Sequence, residues 1–197
     1  MRSLVLLLCF LWITVGCSKS ANQLNEPTPS TEDQTLAVEL SAQERATAAK
    51  DELFQSLSTK LVAAMSSGGP VNAIEVCSKE APNLAQEISA RHGLTIGRTS
   101  FRLRNPQNAA PEWTQPFVAG QDTDVQFVPL ENGATGALFP IRLKPQCLTC
   151  HGPKEQIGDD VKQQLATYYP DDQATGFQDG DLRGWFWVEV PAKASKE

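Results

Sequence analysis

Histidine is the scarcest residue of chemical interest in this 197-residue chain, which has two, His92 and His151. Methionine is as rare, and of the five cysteines only Cys147 and Cys150 stand at a spacing typical of metal or redox motifs. A zinc site needs four ligands, usually two Cys or His pairs at matched spacing. With no second pair, zinc is poorly supported. An enzyme working through histidine acid–base chemistry has few candidates here, which places that class last. Basic residues fall short of acidic ones, 17 against 23, for a net charge of −6. That deficit argues against recognition of nucleic acid or anionic lipid through charge. Length is short as well. The chain suits one ordinary domain with a tether and leaves no room for a kinase or cyclase output domain.

What stands at the sparse pair is Cys147-Leu148-Thr149-Cys150-His151. Cys-x-x-Cys-His is the attachment signature of a c-type haem. Its two thiols add across the porphyrin vinyl groups, and the histidine follows as the ligand to one face of the iron. A thiol–disulfide oxidoreductase is the main rival, but that fold carries its motif early, where a βαβ unit opens. Here only 46 residues follow the motif, and no βαβ pattern is among them. A plain structural disulfide is the remaining alternative.

The N-terminus supports export. Residues 1–16 carry Arg2 and then a run from Leu4 to Val15 that is apolar but for Thr14. This is a signal-peptide core, too short to span a membrane comfortably. Thr14-Val15-Gly16-Cys17 resembles a lipobox, with Thr14 where leucine is usual, so Cys17 is expected to be lipidated. An ordinary cleavable signal and an uncleaved anchor are the alternatives. Ser18 is not the Asp of an inner-membrane retention signal, so the periplasmic face of the outer membrane is the expected location in a Gram-negative cell. Without residues 1–16 the chain has 16 basic and 23 acidic residues, a net of −7. Residues 17–35 read as a polar, Pro/Ser/Thr-rich tether, and 36–192 as the domain. Export also accounts for the cysteines. Cys9 leaves with the signal, Cys17 takes lipid and Cys147 and Cys150 take haem, which leaves Cys77 unpaired in an oxidising compartment.

Within the domain, Ala46, Ala49, Leu53, Leu57, Leu61 and Ala64 recur at helical steps between about Leu36 and Met65. Ser66-Ser67-Gly68-Gly69 stops that helix, Pro70 suits the start of a second, and Gly93 suits its C-terminal cap. Cys77 lies on the inward stripe of the second helix with Ile74, Ala81, Leu84, Ala85 and Ile88. Pro82 is expected to kink or divide it. Strands follow. Leu94–Leu103 alternates, with Ile96, Arg98, Ser100 and Arg102 on one side. Asn105–Asn108 is a turn and Pro111–Ala119 a short helix. Val125–Leu130 and Gly136–Leu143 are strands about a turn at Glu131-Asn132-Gly133. Val161–Tyr168 is helical, and Leu182–Val190 is the strongest strand. Helices first and antiparallel strands after make the fold class α+β.

A haem iron with one histidine needs a sixth ligand or an open site. Met65, His92, Cys77, a lysine or water are the options. Methionine on a helical stripe is commonly core filler, and His92 at a helix end suits the dipole there. Cys77, inward-facing and unpaired, is modestly favoured, with a buried cysteine acting as a small hydrophobe as the alternative. Arg98, Arg102 and Arg104 are candidates for the haem propionates because guanidinium forks fit carboxylates. A solvated face pairing with acidic neighbours explains them equally well. Trp113, Trp185 and Trp187 are expected in the core or against haem.

Ala73–Cys77, Ala81-Pro82, Ile96–Ser100, Leu103–Asn108 and Cys147–Gly152 together resemble the Tll0287-like haem domain family, over roughly residues 40–190. The resemblance implies a PAS-type fold, an antiparallel sheet flanked by helices, with one covalent haem c. It also implies His151 and Cys77 as the axial pair. A thiolate ligand favours ferric iron and lowers the potential. The expected role is electron transfer by a non-enzymatic, lipid-anchored cytochrome with a separate redox partner. The alternative is a redox or gas sensor in which Cys77 leaves on reduction and a partner protein receives the signal.

Overall fold

A capping box starts the first element. Ser41 Oγ accepts from Glu44 N at 3.2 Å, and Glu44 Oε2 accepts from Ser41 N at 2.8 Å, so two otherwise orphaned donors are satisfied. The computed structural model describes residues 40–192, so the expected signal sequence, lipidated Cys17, tether and helix start at Leu36 lie outside the described residues. The helix that Ser41 caps, α1, spans Ala42–His92. Two residues inside it are non-helical, Gly68 (φ −152°) and Gly69 (φ 68°). Gly69 takes a left-handed conformation that a side chain would penalise.

The break divides α1 into arms of residues 42–67 and 70–92, which fold back on each other. Arg45 donates to the carbonyls of His92 and Gly93 at 3.1 and 3.3 Å. Arg91 and His92 meet Glu52, and Lys60 pairs with Glu80. Those partners run in opposite order along the two arms, as an antiparallel pair requires. Pro70 opens the second arm and Gly93 caps it, as the sequence indicates. Pro82 does not divide the second arm, which stays helical through the ring. Burial of Ala73, Ile74, Ala81 and Ile88 holds the segment while one ladder bond is absent.

Four strands follow: β1 (Thr95–Thr99), β2 (Gln126–Pro129), β3 (Thr135–Arg142) and β4 (Leu182–Val190). They form one antiparallel sheet in the order β1-β4-β3-β2. The register sets Ile96 and Ala137 beside Val188, and Arg98 and Phe139 beside Phe186. These residues therefore share a face, and α1 covers it. Ala46, Ala49, Leu53 and Ile88 pack there on Ile96, Ala137, Phe139, Phe186, Val188 and Val190. Each large apolar side chain fully buried in this layer contributes about 1.5–3 kcal/mol. The other face carries Trp185 and Trp187. The connection from β1 to β2, with α2 (Gln115–Gly120), supplies partners there: Trp185 Nε1 donates to Asp122 O at 2.8 Å, and Trp113 Nε1 to Glu189 at 2.7 Å.

β1 is shorter than its alternation predicts. Ser100 Oγ donates to Arg183 O at 2.7 Å and accepts from Arg102 N at 3.0 Å, so the chain leaves the sheet after Thr99. Arg102 consequently lies off the strand that the alternation of residues 94–103 implied. Between β3 and β4 the chain makes a long excursion holding α3 (Leu148–His151) and α4 (Asp159–Tyr168). α4 rests on the second arm of α1, with Val161 and Leu165 against Ile74 and Ile157. The architecture is α+β, an antiparallel sheet flanked by helices. Among the described residues no helix is long and apolar enough to cross a membrane.

Candidate functional site

The Cys-x-x-Cys-His segment is wound tightly. A 3₁₀ turn over Pro145–Cys147 runs directly into α3. Cys147 and Cys150 are thus three residues apart on helical backbone and lie on the same side of it. Gly152 N donates to Leu148 O at 2.9 Å to close the turn. A Cβ on Gly152 would sit 2.6 Å from that same oxygen, so glycine is required there.

His151 Nδ1 lies 2.7 Å from Ala174 O. A carbonyl only accepts, so Nδ1 carries the proton and Nε2 is left with its lone pair free. Burial holds the imidazole pKa well below its ordinary value, and repulsion from Arg104 and Arg183 adds to this against the pull of the Ala174 bond. The ring is neutral, as a metal ligand must be. Phe177 meets it edge to face, with centroids 6.3 Å apart at 83°.

Cys77 lies half-buried on the second arm of α1, one turn from Ile74, and is a free thiol. Burial pushes its pKa up, while Arg98 and Arg104 pull it down. Cys150 is also raised by burial, lowered by Arg104, and raised again by charge on Cys77. Those shared neighbours bring Cys77 and the motif into one site although about seventy residues separate them. The other ligand candidates are elsewhere. His92 is held by Glu52 at 2.6 Å, fifteen residues and about 22 Å of helix axis from Cys77. Met65 is 37 % exposed on the first arm, beside the hairpin turn.

Four arginines crowd the site. Arg104 bonds Asp172 through Nε and Nη2 at 3.1 and 3.0 Å, Cys150 O at 2.5 Å and Ala174 O at 3.2 Å. Arg102 donates to Thr175 O at 2.9 Å, and its guanidinium carbon lies 3.7 Å from the Phe177 ring centroid. Both therefore already have protein partners. Arg98 has none among the described residues, by hydrogen bond or ion pair, although burial lowers its pKa. Arg183 was not singled out in the sequence. Its Nη1 donates to Arg102 O at 3.1 Å, and burial together with Arg104 and Arg98 brings its pKa down to about 10. Among the described residues Asp172 is the one carboxylate paired with any of the four. A cation opening the aromatic run Trp185-Phe186-Trp187 was the available signal for Arg183, since a charged residue in the strongest strand needs an anion nearby.

The residues fit an iron porphyrin. Two thiols on one turn, a neutral imidazole with Nε2 free, a thiol on the neighbouring helix and a surplus of buried guanidinium groups match its vinyls, its iron and its carboxylates. A family model described as Tll0287-like matches residues 22–191. The crystal structure of the cyanobacterial heme-protein Tll0287 matches with a TM-score of 0.57 at 23% sequence identity, covering 76% of this chain and 94% of that one. At that identity the likeness shows the fold. No curated protein matches the chain.

Proposed function

The chain belongs to the Tll0287-like family, and from that premise we propose that it is a haem protein, a mono-haem c-type cytochrome working in electron transfer. Cys147 and Cys150 hold the porphyrin covalently. His151 Nε2 and the Cys77 thiolate would hold the iron. When bound, the group supplies a one-electron ferric/ferrous couple. The observation that carries this reading is the His151 tautomer: Ala174 O takes the Nδ1 proton, so the free lone pair belongs to the nitrogen that a Cys-x-x-Cys-His turn presents to iron.

Arg98 and Arg183 face the propionates in this reading. Arg98 brings an unpaired fork and Arg183 a buried one with a single carbonyl partner. With His151 and Cys77 both committed to holding the group, the protein would pass electrons rather than turn over a bound substrate. Residues 1–16 direct export, Cys17 carries the lipid, and residues 17–35 tether the domain of 36–192 on the periplasmic side of an outer membrane. Lipid is the only membrane contact, nucleic acid is not a partner, and a second redox protein is.

One observation favours a second role. Cys77 sits half-buried on a helical arm separate from the segment that carries Cys147, Cys150 and His151, so it would be the ligand most easily released. Loss of Cys77 on reduction would free one face for a gas and make the domain a sensor that signals through a partner.

Optical and EPR spectra of the purified protein in both redox states, with its intact mass, test the proposal. Covalent haem with a low-spin thiolate signature that survives cycling is the carrier result. Loss of that signature and CO uptake on reduction is the sensor result. Colourless protein, with a mass of peptide and lipid alone, ends both readings.

A further inference from the structure

His151 does not hold its carbonyl partner alone. Ala174 O, which accepts from His151 Nδ1 at 2.7 Å, also accepts from Arg104 Nη2 at 3.2 Å. Arg104 is fixed in turn by Asp172 Oδ2, at 3.1 Å from Nε and 3.0 Å from Nη2, and by Cys150 O at 2.5 Å. Asp172 uses its other oxygen to accept from Ala174 N at 2.8 Å. Asp172 and Arg104 thus grip residue 174 by its amide and its carbonyl. The two side chains are 10 % and 13 % exposed.

A structural tie between α3 and the segment at residues 172–177 accounts for some of these bonds. It does not account for the imidazole and the guanidinium meeting on one oxygen. A donor bearing full positive charge draws electron density from that oxygen and leaves it a poorer acceptor for a second donor. The Nδ1 proton of His151 then stays firmly on nitrogen, and the ring acquires little imidazolate character. An electron-poorer imidazole stabilises ferric iron less.

We propose that Arg104, held in place by Asp172, is a positioning residue that limits electron donation by His151 through their shared Ala174 carbonyl and so raises the reduction potential of the bound haem. This rests on the haem reading above. It assigns to Arg104 a task other than the propionate contact that its place in the sequence first implies.

Three variants of the holoprotein test it, each compared with wild type for covalent haem content, circular dichroism and midpoint potential. Arg104→Gln removes charge and fork together. Arg104→Lys keeps the charge but has no planar fork to span Asp172, Cys150 O and Ala174 O. Both are expected to retain haem and to shift the ferric-to-ferrous ratio at fixed potential towards ferric by about tenfold, which is about 59 mV for a one-electron couple. A potential that falls for Gln but stays at the wild-type value for Lys assigns the effect to charge alone and overturns the proposal. No change in either variant overturns it as well.

Should Arg104→Gln fail to fold, Asp172→Asn separates the two accounts by sign. It leaves Arg104 charged and frees its fork, so sharing predicts a lower potential, whereas loss of one negative charge predicts a higher one and overturns the proposal. A wild-type protein without haem would end the underlying reading instead, and its own spectrum reports that before any variant is made.

Discussion

On β1, two residues apart, Ile96 and Arg98 look towards the same helical layer and live in opposite worlds. Ile96 sits in a core of Leu53, Ile88, Val188 and Val190. Arg98 stands at the other end of the same strand pair, beside Phe186 in register, with Cys77 and a second cation, Arg104, as its electrical neighbours. The first end is what a stable α+β domain needs. The second retains a half-buried cation with no hydrogen-bond or ion-pair partner among the described residues, which folding by itself does not favour. A structure that keeps such a conflict is organised for something that resolves it, and a dianionic prosthetic group does so.

The contrast breaks most completely if the covalent link is removed. Cys147→Ala is expected to abolish full attachment, read by intact mass and by whether the colour survives denaturation. A variant with both thioether bonds is then excluded, and full covalent retention would contradict the motif. Cys77→Ala should keep haem attached but convert the low-spin thiolate spectrum to a weaker or open form, and an unchanged EPR spectrum would remove Cys77 from the iron.

At the apolar end, Leu53→Ala should cost about 2–5 kcal/mol in stability through the lost contacts and the cavity left behind. Its holoprotein spectrum should be unaltered. A spectral change as large as that of Cys77→Ala would show that the two ends are not separable. At the charged end, Arg98→Met is expected to lower holoprotein stability by roughly 1.5–3 kcal/mol, the worth of a hydrogen bond to a charged group. If thermal unfolding of the holoprotein is instead unaffected, Arg98 does not meet the propionates.

The smallest effect belongs to neither end. The hydrogen bond from His92 holds the Glu52 carboxyl below the usual carboxylate range, with Arg91 helping. A depressed carboxylate contributes stability that is present above its unfolded pKa and is lost as pH falls through the folded value. Glu52→Gln should therefore flatten the acid limb of the stability profile. Because Glu52 is 37 % exposed, the difference should stay well under 1 kcal/mol. An unchanged limb would assign the arm pairing to packing alone.

Legibility in the sequence follows the same division. The two arms, the glycine turn between them, the Gly93 cap and the bounds of β4 are local matters of period and capping, and the residues announce them. The α+β class follows from element order. The site is less legible because it depends on contacts over long separations. Ser100 ends β1 by bonding a carbonyl 83 residues away, and nothing in the alternation of residues 94–103 signals it. Arg104 stands out in the sequence only as a candidate for a propionate, yet its partners Cys150, Asp172 and Ala174 come from the excursion between β3 and β4. Arg183 was hidden by the aromatic strand it opens. Pro82 shows the reverse error, a strong local signal overruled by the packing around it.

Because α1 doubles back at Gly68 and Gly69, its first and last residues lie side by side, and Cys77 stands about 22 Å of helix axis from the latter. A visiting protein that approaches near the hairpin turn comes close to Cys77 without touching the place where the chain enters the domain. The start of the described chain and the turn nearest Cys77 are thereby kept at opposite ends of the helical pair.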